Sequence, residues 1–433
     1  MDQSTIASQQ TIMKRMLEAG GFYFLQAIIL LALQITISRW LGSVDQYGMY
    51  IFYYALIKMI SVPALLGFNR AAVRFLPLYL ADNKLDKVAG FLLFSLLSVL
   101  VCGFVLAFIV SHFLNSHIVS VSSSISFIFF VPLFSLVFLL RGFLKGFKLV
   151  ILSVAPMSLL YVLMALLAAF GIATSSLNIH TSNAIVFVAI GVVLCVELLT
   201  LVYILPKSFF KNVPSFDIKL WLTNAIPMMI SSSAKIIYHL ASLIVVYKAL
   251  DAKACGIYGA VIVLAKFISV PVRSMSIAAN PYIATAKKDP NPLVLKQLIT
   301  SAMQLSIKPM ALMLVIAILL GKWILSAFGD AFTAGYLSLL LLMFAKCVGI
   351  WSGFGTSILN MAGFAKKPIL PLIVAAVLNI ILTVLFVKTM NITGAALAFL
   401  LTQGVNAVWF NFLCVKKLNL NLLKLLFLRQ KRF

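Results

Sequence analysis

The chain of 433 residues is 63% hydrophobic and 10% charged, with a mean hydropathy of +1.12; a water-soluble domain of that length needs far more polar surface, so the composition points to an integral membrane protein. Its formal net charge is +24, from 34 Lys and Arg against 10 Asp and Glu, but the basic residues are scattered through short connections between apolar runs instead of lining one face, which argues against nucleic acid as a partner. Five cysteines, Cys102, Cys195, Cys255, Cys347 and Cys414, stand within or beside apolar stretches without metal-ligand spacing and read as small core residues.

The first fifteen residues are polar, and the apolar run after Lys14 and Arg15 extends to about Trp40. That run is too long for the core of a cleavable signal and suits a first, uncleaved span. Apolar runs of about 20 residues predict twelve helices, at roughly 16–40, 47–67, 88–113, 118–140, 149–173, 183–205, 222–248, 256–282, 302–328, 335–359, 368–390 and 394–416. The expected fold is an all-α integral membrane protein of about twelve transmembrane helices. The outer loops, near 114–118, 174–182 and 391–393, are too short for a folded external domain. The tail, 417–433, alternates leucines with basic residues and is expected to lie on the inner leaflet as an amphipathic segment.

With both termini cytoplasmic, 23 of the Lys and Arg fall on the inner side and five outside, namely Arg39, Lys248, Lys253, Lys322 and Lys388. So lopsided a split predicts this orientation and an even number of spans. Gly48 to Pro63 returns 208 positions later as Gly256 to Pro271, with eight identical residues among sixteen. Six spans separate the copies, so both point the same way and the chain reads as two parallel-repeat six-helix bundles around a central cavity. The expected halves are 1–214 and 215–416, divided at the loop that holds Pro214.

The repeated unit carries a lysine. Lys58 lies eleven residues past Tyr47, roughly 16 Å into a hydrocarbon layer about 30 Å thick, and Lys266 occupies the equivalent level. Arg273 shares a helix face with Lys266 seven residues on, while its counterpart in the first copy is Leu65. Lys235 belongs to a stripe with Ser231, Ser232, His239 and Ser242, and Lys346 is eleven residues into the tenth span. Acids within reach are few: only Glu18 and Glu197 are associated with spans. An excess of cations at mid-depth is expected to line a solvated cavity and attract anions. The competing reading is that each lysine snorkels to the interface or pairs with an acid, and it carries most weight for Lys308, beside Pro309. Glu197 and His239 are candidates for ion coupling, because a buried carboxyl or imidazole can exchange a proton near neutral pH; local pairing is the alternative for both.

Leu41-Gly42, a short loop and Tyr47-Gly48, followed by Gly67, Arg70 and Arg74, resemble the first two spans of bacterial polysaccharide exporters of the Wzx type. Gly363 and Lys366, then Asn379, then Gly394-Ala395-Ala396 are similar to that family's later spans, and the likeness runs from about residue 15 to 416. The resemblance implies the fold of the multidrug, oligosaccharidyl-lipid and polysaccharide exporter superfamily, with two six-helix bundles facing each other across a central cavity. It also implies a substrate, an oligosaccharide repeat unit on undecaprenyl pyrophosphate, flipped from the cytoplasmic to the outer leaflet of a bacterial inner membrane.

On that reading Lys58, Lys235, Lys266, Arg273 and Lys346 line the cavity, and Arg70 and Arg74 recruit the head group at the cytoplasmic mouth. The expected partners are the lipid-linked oligosaccharide, membrane lipids and the polymerase and chain-length components of polysaccharide assembly. No metal, cofactor or catalytic residue is expected, and the sequence holds no Gly-rich nucleotide loop. A cation-coupled multidrug exporter or a lipid II flippase of the same fold stays open as an alternative. From a different class, a membrane glycan polymerase would act on the same lipids, but it calls for a large outer loop with paired acids.

Overall fold

The computed structural model describes residues 24–115, 121–147, 179–205, 213–276, 292–364 and 366–427, with Gly21, Leu149, Leu152 and Ser153. Among them every regular element is a helix. In chain order these are α1 (Phe24–Trp40), α2 (Val44–Ala64), α3 (Phe68–Ala81), α4 (Leu85–Asn115), α5 (Val121–Gly146), α6 (Ile179–Ile204), α7 (Ile218–Ala249), α8 (Ala252–Ala265), α9 (Pro292–Ser326), α10 (Tyr336–Met361), α11 (Ile369–Leu418) and α12 (Leu422–Phe427). The predicted spans fall on these helices, save 149–173, most of which lies outside the described residues. Among the described residues, seven helices are long and apolar enough to cross a membrane, or eight if α2 and α3, bent by 42° at a break, count as one.

Local sequence explains where the helices bend. Leu66 and Gly67 both take positive φ, 48° and 80°, which ends α2 and lets α3 start at a new angle. In the second copy of the repeat, α8 tightens at Lys266 into a 3-10 turn, Phe267–Ser269, and the helix then resumes to Ser276. Pro271 follows that turn; lacking an N–H, it leaves the Phe267 carbonyl without its usual helical donor, and Val270 donates to it instead. The last two predicted spans form one element broken at Asn391 (φ 51°, ψ −141°). Asparagine tolerates positive φ, so the predicted three-residue loop shrinks to one turning residue.

The described helices pack into two compact units, residues 52–240 and residues 1–51 with 241–433. This grouping follows packing, whereas the predicted halves follow sequence repetition; α1 and the start of α2 pack with later helices. In the 52–240 unit, Phe68, Phe75, Phe91, Phe143 and Trp221 form an aromatic core. Trp221 Nε1 donates to the Tyr79 hydroxyl at 2.9 Å, which satisfies the indole where it is fully buried. Lys87 pairs with Asp217 at 2.7 Å, and the Ser215 amide donates to the Asp86 carbonyl at 3.0 Å, so the entries of α4 and α7 are tied together.

In the other unit the first turns of α2 and of α8 pack closely against each other. A side chain at Gly48 would run into the Ala252 carbonyl, and one at Gly256 would lie 2.5 Å from the Val44 carbonyl and 3.1 Å from the Gly48 amide. Residues 44 and 252, like 48 and 256, are equivalents 208 positions apart, so the contact is reciprocal, as at a two-fold axis. Beside it, Tyr47 packs edge-on against Phe328 and Phe332 and donates to Gln34 Oε1 at 3.0 Å. Arg39 donates from Nε to the Ala327 carbonyl and from Nη2 to the Ser326 carbonyl, both at 2.8 Å. It thereby caps the end of α9, where orphan carbonyls favour a cation.

The start of the tail packs on the helices before it. Helix α12 is amphipathic, but Leu420, Leu422 and Leu425 are buried within the protein, Leu422 touches the position of Gly355, and the Leu423 amide donates to Asn411 Oδ1 at 3.2 Å. Its apolar side therefore covers the ends of α10 and α11. Residues 428–433, which hold the last basic residues, lie outside the described set.

Candidate functional site

In the 52–240 unit, Lys58 is half-buried on α2, with Nζ 4.5 Å from the centroid of the Tyr54 ring one turn earlier. Tyr54 is itself held edge-on by Phe134 at 6.3 Å. Lys235 is exposed on α7, and His239 is half-buried, its ring 4.9 Å from that of Tyr238. The predicted polar stripe on α7 does not stay open along its length. Ser231 is buried and Ser232 donates back to the Met228 carbonyl at 2.6 Å. Beyond this unit's end Ser242 is fully inside, accepting from the Tyr258 hydroxyl at 3.4 Å.

Arg70 and Arg74 stand one turn apart on the exposed side of α3, just after the left-handed break. Arg74 Nη1 donates to Asn224 Oδ1 at 2.7 Å, and its guanidinium lies 5.7 Å from the Phe75 ring. Glu197 is fully buried on α6, facing α5.

In the other unit, Lys266 and Arg273 are exposed on the span that begins with α8. Lys266 sits at the joint between helix and 3-10 turn, its amide shared between the Ile262 and Val263 carbonyls at 3.2 and 3.3 Å. Lys346 is half-buried on α10, with Nζ 4.3 Å from the centroid of the buried Phe399 ring. Helix α10 packs along α8 and its 3-10 turn, so the spans that carry Lys266, Arg273 and Lys346 are neighbours.

Lys58 and Lys346 thus rest on aromatic faces, an attraction of about 0.5–2 kcal/mol. A cation at the centre of a bilayer costs about 2.5–3.5 kcal/mol on insertion scales. The ion pairs Lys84–Asp82 and Lys87–Asp217 lie at helix ends. Sequence reasoning did not single out Tyr54, Phe399 or Asn224. Tyr54 was within reach of it, four residues before Lys58, whereas Phe399 and Asn224 come from other elements.

Residues 7–287 match the model of a family described as polysaccharide biosynthesis protein. No curated protein matches the chain. Among solved structures, a multidrug resistance MATE family transporter of the MOP superfamily, in an inward-facing conformation, is similar with a TM-score of 0.76 at 14% identity, covering 91% of this chain and 94% of that one. A MOP superfamily transporter from Pyrococcus furiosus, described as having a binding pocket of reverse polarity, gives 0.70 at 14%, over 94% and 96%. A MATE protein in a bent conformation gives 0.69 at 13%, also over 94% and 96%. At such identities the likeness is one of fold.

Proposed function

The chain belongs to the polysaccharide biosynthesis protein family, is a multi-pass membrane protein with a MATE-like transporter fold, and from that premise we propose that it is a flippase for lipid-linked oligosaccharide. Its substrate is an oligosaccharide repeat unit on undecaprenyl pyrophosphate, carried from the cytoplasmic to the outer leaflet by alternating access. The glycan and phosphates pass between the halves 1–214 and 215–416 while the lipid tail stays in the bilayer. No covalent bond is made or broken.

The observation that carries this reading is the presence of cations within apolar spans, Lys58 and Lys346 among them, each set against a ring face. With Lys235, Lys266 and Arg273, they are the groups we assign to binding a pyrophosphate. Arg70 and Arg74 recruit the head group at the cytoplasmic mouth, and Glu197 and His239 are the groups available for ion coupling. The structurally similar MOP superfamily transporter from Pyrococcus furiosus is described as having a binding pocket of reverse polarity that suggests a different function, which supports the view that one fold serves more than one function. Both termini are cytoplasmic, as the distribution of Lys and Arg favours, and the membrane is the bacterial inner membrane, as the resemblance to Wzx-type exporters implies.

The test is to follow lipid-linked repeat units in a strain lacking the protein. Build-up on the cytoplasmic face is expected. Normal surface polymer with altered drug sensitivity would replace the flippase with a multidrug exporter.

A further inference from the structure

Glu197 stands in the middle of the face by which α6 packs on α5. Ile190, Val193, Leu194 and Leu201, its neighbours at helical spacing on that face, are all buried, and Glu197 itself is 0% exposed. Among the described residues neither of its carboxyl oxygens has a hydrogen-bond partner. An ionised carboxylate in such a place lacks the donors that offset its desolvation, whereas a neutral acid needs only one.

The charges that face it are few. On α5 the nearest is Arg141, which acts on Glu197 through space, with Lys145 one turn further and exposed. On α6 itself His180 lies seventeen residues away. Arg70 and Arg74, on α3, which also packs on α5, are on that helix's exposed side. The sequence from 149 to 178 contains no acidic or basic residue. Arg141 is half-buried and turned elsewhere, its Nε donating to the Ser153 carbonyl at 2.7 Å and its guanidinium 5.9 Å from the Phe138 ring.

We propose that Glu197 is a proton-binding site, neutral while Arg141 is held on the Ser153 carbonyl and ionised when the guanidinium turns onto it. The carboxylate takes one proton from water on one side of the membrane and returns it to water on the other, and Arg141 is the positioning residue that exchanges places with that proton. This rests on the transporter reading and names its coupling ion. A metal cation needs several oxygen ligands, and the packing face around Glu197 is made of Ile, Val and Leu; a proton needs one.

The test is infrared spectroscopy of the purified full chain in lipid nanodiscs, titrated from acid pH to about pH 9, where a buried Glu can still be protonated. The carbonyl stretch of a protonated, weakly hydrogen-bonded carboxylic acid is expected, vanishing as the pH rises and missing in Glu197→Gln, a nearly isosteric change. In Arg141→Ala, with Glu197 intact, the band should persist to about tenfold lower proton concentration; this variant reads the same group should Glu197→Gln fail to fold. In a complemented strain, export by Glu197→Gln should lose its response to an imposed pH gradient while Glu197→Asp keeps it. A carboxylate already ionised at acid pH, or a band that neither pH nor Arg141→Ala moves, would overturn the proposal. Because the spectrum needs no substrate, either result stands whatever the cargo proves to be.

Discussion

Lys58 shows most clearly what a single residue contributes. Its ring partner Tyr54 contributes about 0.5–2 kcal/mol, and on the proposed function an anion binds it as well. If that anion is the cargo, Lys58→Ala and Lys266→Ala should each lower export about tenfold or more, the worth of one charge-assisted contact, without loss of membrane insertion. Lys58→Glu should be worse, because it replaces attraction with repulsion. Surface polymer and membrane-fraction yield in a strain lacking the native chain measure both effects; normal export by both alanine variants would return the lysines to simple snorkelling. Depth and sign of charge made these cations legible in the sequence. Their surroundings were not, since Phe399 reaches Lys346 from another helix and Arg141 lies 56 positions before Glu197, so only folding brings such pairs together.

Among the elements, α2 and α8 show how a duplicated sequence becomes a packed structure. The repeat was visible as eight identities in sixteen positions, and so were the spans, because an apolar run of twenty residues has few other fates. What sequence did not disclose is that the first turns of α2 and α8 touch, with the backbone of each lying where the other's glycine would carry a side chain. Gly48→Val or Gly256→Val should therefore force the helices apart, at a cost of about 2 kcal/mol or more, and lower the thermal unfolding temperature of the purified chain. Gly191→Ala, where a new Cβ meets nothing within 4 Å, should leave it unchanged or slightly raised. Equal melting of all three would mean that the crossing is looser than its geometry. The one-residue turn at Asn391 and the burial of Leu422 and Leu425 were likewise illegible, for both depend on what lies opposite: the Phe386 backbone for Gly394 and the Gly355 position for Leu422.

At the scale of the whole molecule the formal charge of +24 has two separate uses. Of the Lys and Arg, 23 stand in segments expected to face the cytoplasm, where they would orient the chain, and six stand within the predicted spans, where orientation gives them no reason to be. The family is one of polysaccharide biosynthesis and the fold is MATE-like, and the proposed cargo follows from the sign of the charge left inside. The most direct test is binding by the purified full chain, read by native mass spectrometry, of one glycolipid in pyrophosphate-linked, monophosphate-linked and neutral forms. Retention should fall in that order, weaken with salt, and drop for the pyrophosphate form in Lys58→Ala and Lys266→Ala. Equal retention of the neutral lipid, or preference for an organic cation, would contradict an anionic cargo.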